Sequence, residues 1–381
     1  MKRMRTLVTG ATGYVGSRLV ASLLGAGHHV VVASRNLERL GDFGWIDDVT
    51  PVMLDAGDEE SASSAFGVAG PVDVVYYLVH GIGQPGFREA DNRAAANVAR
   101  AAKAAGVKRI VYLGGFVPDG GELSEHLRSR AEVAEALRVD GGPDVVWLGA
   151  AIILGAGSTS FEMLRYVGDR FLLIPMLPWV HNGLDPISIS DVIYYLVAAA
   201  DAERVPAGSY DIRGPESTTY GDLLLTYARL SGKWRSGVAV PDVDMGLVSQ
   251  VAALFVPIPG GLASDLIESL DFPMTTSSDG LRAFVPDPPG GLVTVEDAIQ
   301  LSLSSRKQLP VDRLADPHHL ADSDPDWAGG DILRLRKIAA MVIPAHARPV
   351  LGLLGAVPGP LAGWWRTGLD TLIGLAPKGA S

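Results

Sequence analysis

Two groups of residues in this chain have the types and spacing to do chemistry. The first is a set of three glycines, Gly10, Gly13 and Gly16, in "VTGATGYVGSRLV", between a short apolar strand and a helical run. In that context Gly10 permits a sharp turn, Gly13 lets backbone approach a pyrophosphate, and Gly16 lets helix and strand pack closely. The turn and the helical start beyond it (Gly10, Thr12, Gly13, Tyr14, Val15 and Gly16) offer unpaired N–H groups and a partial positive charge to phosphates. The second strand ends at Ser34-Arg35, where sites for NAD carry a carboxylate for the ribose 2′-hydroxyl. A basic residue there suits a 2′-phosphate, so the expected cofactor is NADP(H) in preference to NAD(H), with a solvated surface arginine as the alternative reading of Arg35.

The second group is His126 and Arg130 in "SEHLRSRAEV". Written as a helix, the segment places Val133, His126, Leu137, Arg130, Ala134, Leu127 and Ala131 on one inward arc. Arg128, Ser129, Glu132 and Glu135 fall on the opposite side. An inward-facing arginine needs acceptors, because an unpaired buried charge is costly. Arg130 is read either as a donor to a cofactor ribose or as the partner of an internal carboxylate. His126 is read either as a proton donor or as a satisfied core histidine. A nearby arginine would push its pKa below the ordinary ~6.5 and favour neutral imidazole.

Further candidates are His80 with the loop at 81–83, and Asp91 and Asn97 on one helix. Phe161, Glu162 and Arg165 fall where a smaller lobe would meet substrate. His318 and His319 are adjacent and cannot face one metal from a regular helix, so no metal site is expected.

The elements that must position these residues alternate over the first 150 positions. Apolar strands are expected at 6–10, 29–34, 49–54, 73–79, 109–115 and 144–153, with helices at 14–26, at 92–106 and from the His–Arg segment onward. Continuous β-branched strands alternating with helices imply a parallel sheet covered on both faces. The fold class is α/β: a doubly wound parallel sheet (Rossmann), a smaller C-terminal substrate lobe and an apolar helical tail. The expected division is a dinucleotide-binding domain at 1–153, a substrate lobe at 154–305 with strands returning to the sheet, and a linker and tail at 306–381. Residues 316–330, "DPHHLADSDPDWAGG", read as that linker. In the tail, Trp365, Leu369, Leu372 and Ile373 form an amphipathic stripe. It suits self-docking or a homo-oligomer, with peripheral membrane contact as the alternative.

Composition narrows the function classes. The formal charge of −11 and the absence of a Lys/Arg-rich run argue against a nucleic-acid partner. With no cysteine there is no disulfide, thiolate catalysis or cysteine-ligated zinc, which fits a reducing cytoplasm. The first ten residues run straight into a glycine turn without a signal-peptide core. A cytoplasmic location is expected, with membrane association through the tail as an alternative.

The glycine turn, Arg35, "LDAGD" (54–58), "YYLVHGIG" (76–83), "RIVYLGG" (109–115) and "PISISDV" (186–192) together resemble an atypical or extended short-chain dehydrogenase/reductase, in the NmrA-like NAD(P)H-binding branch. The resemblance implies that Asp55 and Ala56 lie near the adenine, with a turn role as the alternative for Asp55. It implies that Leu78, Val79 and His80 line the cofactor, and that residues 149–155 pass close to the nicotinamide. The family ends its fifth strand in a serine and carries Tyr-x-x-x-Lys on the next helix. This chain has Gly114-Gly115, His126 and Arg130 in their place. The implied activity is an NADP(H)-dependent oxidoreductase on a small or lipid-like carbonyl or hydroxyl substrate. Two alternatives stay open: a non-enzymatic dinucleotide-binding sensor or assembly factor, and a nucleotide-sugar epimerase or dehydratase.

Overall fold

The computed structural model describes residues 3–81, 86–116, 125–240, 257–259, 269–276, 280–305, 307–331 and 333–334. The first half follows the alternation of the sequence: β1 (Arg5–Thr9), α1 (Tyr14–Gly25), β2 (His29–Ser34), β3 (Thr50–Met53), α2 (Glu59–Ala69), β4 (Val74–Tyr77), α3 (Phe87–Ala104), β5 (Arg109–Gly115), α4 (Glu125–Leu137) and β6 (Asp144–Ala150). The second half holds β7 (Ile153–Leu154), α5 (Thr159–Arg170), β8 (Leu173–Met176), β9 (Gly183–Leu184), β10 (Ile187–Ser188), α6 (Ile189–Ala199), β11 (Gly208–Ile212), β12 (Thr218–Thr219), α7 (Tyr220–Leu230), β13 (Ser236–Ala239) and α8 (Val295–Ser304).

One seven-stranded parallel sheet, in the order β11-β6-β5-β4-β1-β2-β3, organises the molecule. The crossover between β3 and β4, which lands β4 on the far side of β1, opens a crevice at the carboxyl ends of β1 and β4, the usual ligand position in such sheets. All four residues of β4 are buried, as a strand covered on both faces requires. One apolar layer packs α1 and α6 against the sheet; the other packs α2, α3 and α4. The fold class is therefore the doubly wound one expected, with a smaller lobe of short strand pairs, β7–β10, β9–β12 and β8–β13.

Two elements end elsewhere than expected. The sixth strand stops at Ala150; the chain bends at Ala151 and resumes as β7, paired with β10 rather than with the main sheet. Helix α3 begins at Phe87, behind Gly86 in a left-handed conformation (φ 67°) that a glycine adopts without strain.

The segment expected to be a linker is built into the body. His318, Leu320, Ala321, Asp324, Ala328 and Asp331 are buried. Arg18 of α1 forms a two-pronged ion pair with Asp324 (3.0 and 2.8 Å) and donates to the carbonyls of Pro317 and His319, each at 2.8 Å. Arg170 at the end of α5 pairs with Asp331. Asp324, Asp331 and the carbonyls of Pro317 and His319, in a stretch that reads as loop, are thus partners of two buried arginines. The amphipathic stripe at 360–375 lies outside the described residues. Among the described residues no helix is long and apolar enough to cross a membrane.

Candidate active site

The glycine turn sits at the carboxyl end of β1, tied to β4 through Thr9. The Thr9 hydroxyl donates to the Tyr76 carbonyl (3.1 Å) and accepts from the Leu78 N–H (3.3 Å). Gly10 has φ 69°, and a Cβ there would lie 2.5 Å from the Leu78 carbonyl oxygen. A Cβ on Gly16 would lie 2.2 Å from the Gly10 carbonyl oxygen. Both glycines are required by backbone packing, since backbone atoms cannot yield as a side chain can. Gly13 is the N-cap of α1 and brings no side-chain cap, and no acidic residue stands in the first turn. The helix therefore presents uncapped amides and its positive dipole end to the crevice, an arrangement that fits a dinucleotide pyrophosphate.

Beside this turn, Tyr14 lies under the segment that follows β6. A Cβ on Gly155 would come within 2.0 Å of its hydroxyl oxygen, so glycine there makes room for the ring. The hydroxyl is buried without a partner among the described residues, and burial pushes its pKa up. Arg18 stacks on the other side of the ring, 4.0 Å from its centroid.

Arg130 is buried, and its Nη2 has no hydrogen-bond partner among the described residues. Its aliphatic stem explains the glycine pair on β5: a Cβ on Gly115 would lie 3.1 Å from the Arg130 Cγ. A Cβ on Gly114 would lie 2.6 Å from the Trp147 Nε1 and 2.8 Å from the Tyr112 ring. Tyr112 in turn donates to the Arg130 carbonyl (3.3 Å). The strand end that carries a serine in the resembling family is occupied here by an arginine and two aromatic side chains.

The guanidinium shares its surroundings with His80 and Asp91. Asp91 is buried on α3 and accepts from the Gly81 N–H; burial raises its carboxyl pKa against the lowering effects of that N–H and of Arg130. Its Oδ2 has no partner among the described residues. His80 is exposed by area, and desolvation and then the Arg130 charge lower its pKa. Neutral imidazole is the form that results. His126 lies in the first turn of α4, and its side chain falls outside the described residues.

The inward arc expected for α4 holds at Leu127, Arg130, Val133, Ala134 and Leu137, all buried. Ser129, expected on the outer side, is also buried. That side of α4 packs on α3, where Glu132 accepts from Arg88 (2.6 Å) and Asn92 (3.0 Å). Arg88 is the main reason the Glu132 pKa falls to about 2.

The remaining candidates separate. Leu78 and Val79 are half-buried at the end of β4, close to the glycine turn. Asp55 is exposed and accepts from the Gly57 N–H (2.9 Å), the geometry of a turn residue. Ala56 is buried, and its carbonyl accepts from the Asn97 Nδ2 (3.0 Å). Phe161 is core; Glu162 accepts from the Gly157 and Gly329 N–H groups (3.1 and 2.9 Å) and pairs with Arg165. Those three residues hold the C-terminal segment, while the adjoining side of α5 faces a cavity.

That cavity, of about 160 Å³, opens at the carboxyl ends of β5 and β6, between α5 and α7. Gly115, Leu127, Ile152, Met163, Leu223 and Trp179 contribute to its walls. No sequence signal announces it, because its walls come from segments far apart in the chain and share no motif. The bend after Ala150 is what makes room for it.

Residues 10–138 match the NAD(P)H-binding family. The chain is similar to NADH dehydrogenase [ubiquinone] 1 alpha subcomplex subunit 9, mitochondrial, of Arabidopsis thaliana (23% identity over 274 residues, 69% of this chain and 67% of that one). It is also similar to sterol demethylase protein B of Methylococcus capsulatus (27% over 269 residues, 62% and 78%). Among solved structures, a nucleoside-diphosphate-sugar epimerase from Staphylococcus aureus superposes with a TM-score of 0.62 at 18% identity, covering 78% of this chain and 100% of that one. The Bordetella bronchiseptica enzyme WbmG, in complex with NAD, superposes with a TM-score of 0.58 at 17% identity (78% and 92%).

These structures overturn the expectation of NADP(H) over NAD(H). WbmG holds NAD, as do WbmH and the UDP-glucose 4-epimerase of Thermus thermophilus. The physical reason lies at Arg35. It is exposed, with no hydrogen bond or ion pair among the described residues. An unrestrained surface guanidinium does not commit the end of β2 to a phosphate, and residue type at that one position was the whole basis of the expectation.

Proposed function

We propose that this Rossmann-fold chain, whose residues 10–138 match the NAD(P)H-binding family, catalyses hydride transfer at a hydroxyl-bearing carbon with NAD(H) as cofactor. That step is common to dehydrogenases and to sugar epimerases and dehydratases. The observation that carries the reading is the adjacency of three features: the uncapped glycine turn, the buried Arg130 whose Nη2 has no partner among the described residues, and the cavity beside Gly115.

Bound in the crevice, NAD supplies a hydride acceptor or donor. The amides after Gly13 hold its pyrophosphate, with Gly10, Thr12, Tyr14, Val15 and Gly16 forming the cradle. Leu78, Val79 and His80 line the crevice beyond β4. Arg130, with its free Nη2, donates to the ribose hydroxyls, the task that lysine performs in the resembling family. His126, one helical turn earlier on α4, is the proton donor or acceptor for the substrate oxygen. Asp91 and the neutral ring of His80 flank the guanidinium and position it.

A second reading is transient oxidation of a nucleotide sugar, as an epimerase or dehydratase performs it; it is favoured by the activity of the Staphylococcus aureus enzyme of similar fold. The two differ in outcome, because only the first accumulates NADH. Calorimetric titration of NAD⁺ should give saturable binding, weakened roughly tenfold or more in Arg130→Met, as loss of a charged hydrogen bond implies. Unchanged affinity in that variant rules Arg130 out as a cofactor ligand. NADH absorbance should then be followed with a panel of alcohols, and product isomers with sugar nucleotides, for the wild type and His126→Ala. Binding without turnover on either panel removes the catalytic reading. It would favour a structural dinucleotide role, in keeping with the Arabidopsis relative's being a subunit of a larger dehydrogenase.

A further inference from the structure

We propose that the substrate is an uncharged alcohol or ketone carrying an apolar group of about one ring's size, seated in the cavity beside Gly115. The inference rests on the hydride-transfer reading of that site. Leu127, Ile152, Met163, Leu164, Leu223 and Leu224 supply apolar wall, and the Trp179 and Tyr220 rings close one side edge to face, 6.0 Å apart. No charged side chain lines the cavity among the described residues.

A diphosphate group needs cations or open helix N-termini, and among the described residues the walls provide neither. On the wall helices and their flanks, Arg165 pairs with Glu162, Arg229 with Glu296 and Lys233 with Asp169. Arg170 is held by Asp331, and Arg235 donates to the carbonyls of Gly168 and Asp169. Both helices that flank the cavity are closed at their N-termini. Ser158 caps α5 and Thr219 caps α7, and each first turn carries an acidic residue, Glu162 and Asp222. The field at those ends is unfavourable to an anion.

The size of the cavity bounds the apolar group. An apolar cavity of about 150 Å³ stays dry and takes up benzene, so about 160 Å³ suits a six-membered ring or a chain of similar volume. Two of the lining residues, Ser160 and Tyr220, carry hydroxyls that have no hydrogen-bond partner among the described residues.

The test uses the full chain loaded with NAD⁺, titrated calorimetrically with cyclohexanol, cyclohexanone and UDP-glucose. Saturable binding of the two ring compounds and none of UDP-glucose is expected. Leu223→Trp, which fills the cavity, should weaken cyclohexanol at least tenfold while leaving NAD⁺ affinity unchanged. Should that variant fail to fold, Leu223→Ala enlarges the cavity and should shift preference toward cyclooctanol. Saturable UDP-glucose binding, or cyclohexanol binding that ignores both substitutions, overturns the proposal. So does failure of cyclohexanol to bind at all. NADH absorbance is read in the same samples. Cyclohexanol that binds without yielding NADH counts against hydride transfer while upholding the apolar pocket, so the two failures are distinguishable.

Discussion

Gly114 shows how one residue position constrains the chemistry of the site. A side chain there meets the Trp147 indole at 2.6 Å and the Tyr112 ring at 2.8 Å, both belonging to a packed layer. Introducing serine, the residue the resembling family uses at this strand end, overpacks that layer. Gly114→Ser should destabilise the protein by about 1–3 kcal/mol in urea denaturation and confer no gain in turnover. A neutral effect on stability would show that Trp147 and Tyr112 can yield, and would reopen the strand end as a substrate contact. At Arg35 the same scale gave the opposite lesson. Its type suggested a phosphate partner, but an exposed side chain without a fixed geometry does not set cofactor choice.

At the scale of elements, the junction of α1 and β2 contains a titrating group. His28 is buried, and its Nδ1 accepts from the Met4 N–H (3.2 Å) while its Nε2 has no partner. Protonating Nδ1 would set two N–H groups against each other, and burial lowers the pKa further. A histidine with a folded pKa below its unfolded value binds more protons when unfolded. Stability should therefore be fully present above pH ~6.5 and decline as pH falls from there toward the depressed folded value, by about 1.4 kcal/mol per unit of depression. His28→Asn should flatten that slope in denaturation curves taken between pH 7.5 and 5. An unaltered slope would assign it to other groups. The α3–α4 contact acts in a lower range. Glu132, held near pKa 2 by Arg88, adds stability above its unfolded value of about 4.3 that is lost as pH falls toward 2, and it is small because the pair is part-exposed.

At the scale of the whole molecule, the C-terminal segment ties the dinucleotide-binding half to the smaller lobe. Arg18 at the start of α1 reaches residues about three hundred positions later, and Arg170 of α5 binds the same segment through Asp331. A buried pair contributes little over an apolar replacement, but breaking one partner leaves an uncompensated charge. Asp324→Asn should cost about 3–5 kcal/mol, seen as a lowered Tm, and Arg18→Met with Asp324→Leu should recover much of that loss. If the single and double variants melted alike, the pair would not be what holds the segment. Because Arg18 also supports Tyr14 beneath the glycine turn, Asp324→Asn should weaken NAD⁺ binding as well.

Much of this molecule was legible in its residues. The alternation of apolar strands and helices prescribed a parallel sheet, and the strand–glycine–helix spacing prescribed the tight glycine turn, because both depend on periodicity and backbone sterics acting within a few residues. The inward face of α4, with Arg130 on it, followed from helical geometry in the same way. Tertiary structure decided what depends on partners distant in sequence. Ser129 is buried because α3 packs against it, residues 316–331 are docked because two arginines need carboxylates, and the glycine pair ends β5 because Arg130, Tyr112 and Trp147 converge there. The cavity is the clearest case. Its walls come from β5, β6, α4, α5 and α7, and only the bend after Ala150 brings them around one volume. Local rules set each element; the space enclosed between elements exists only once they are packed.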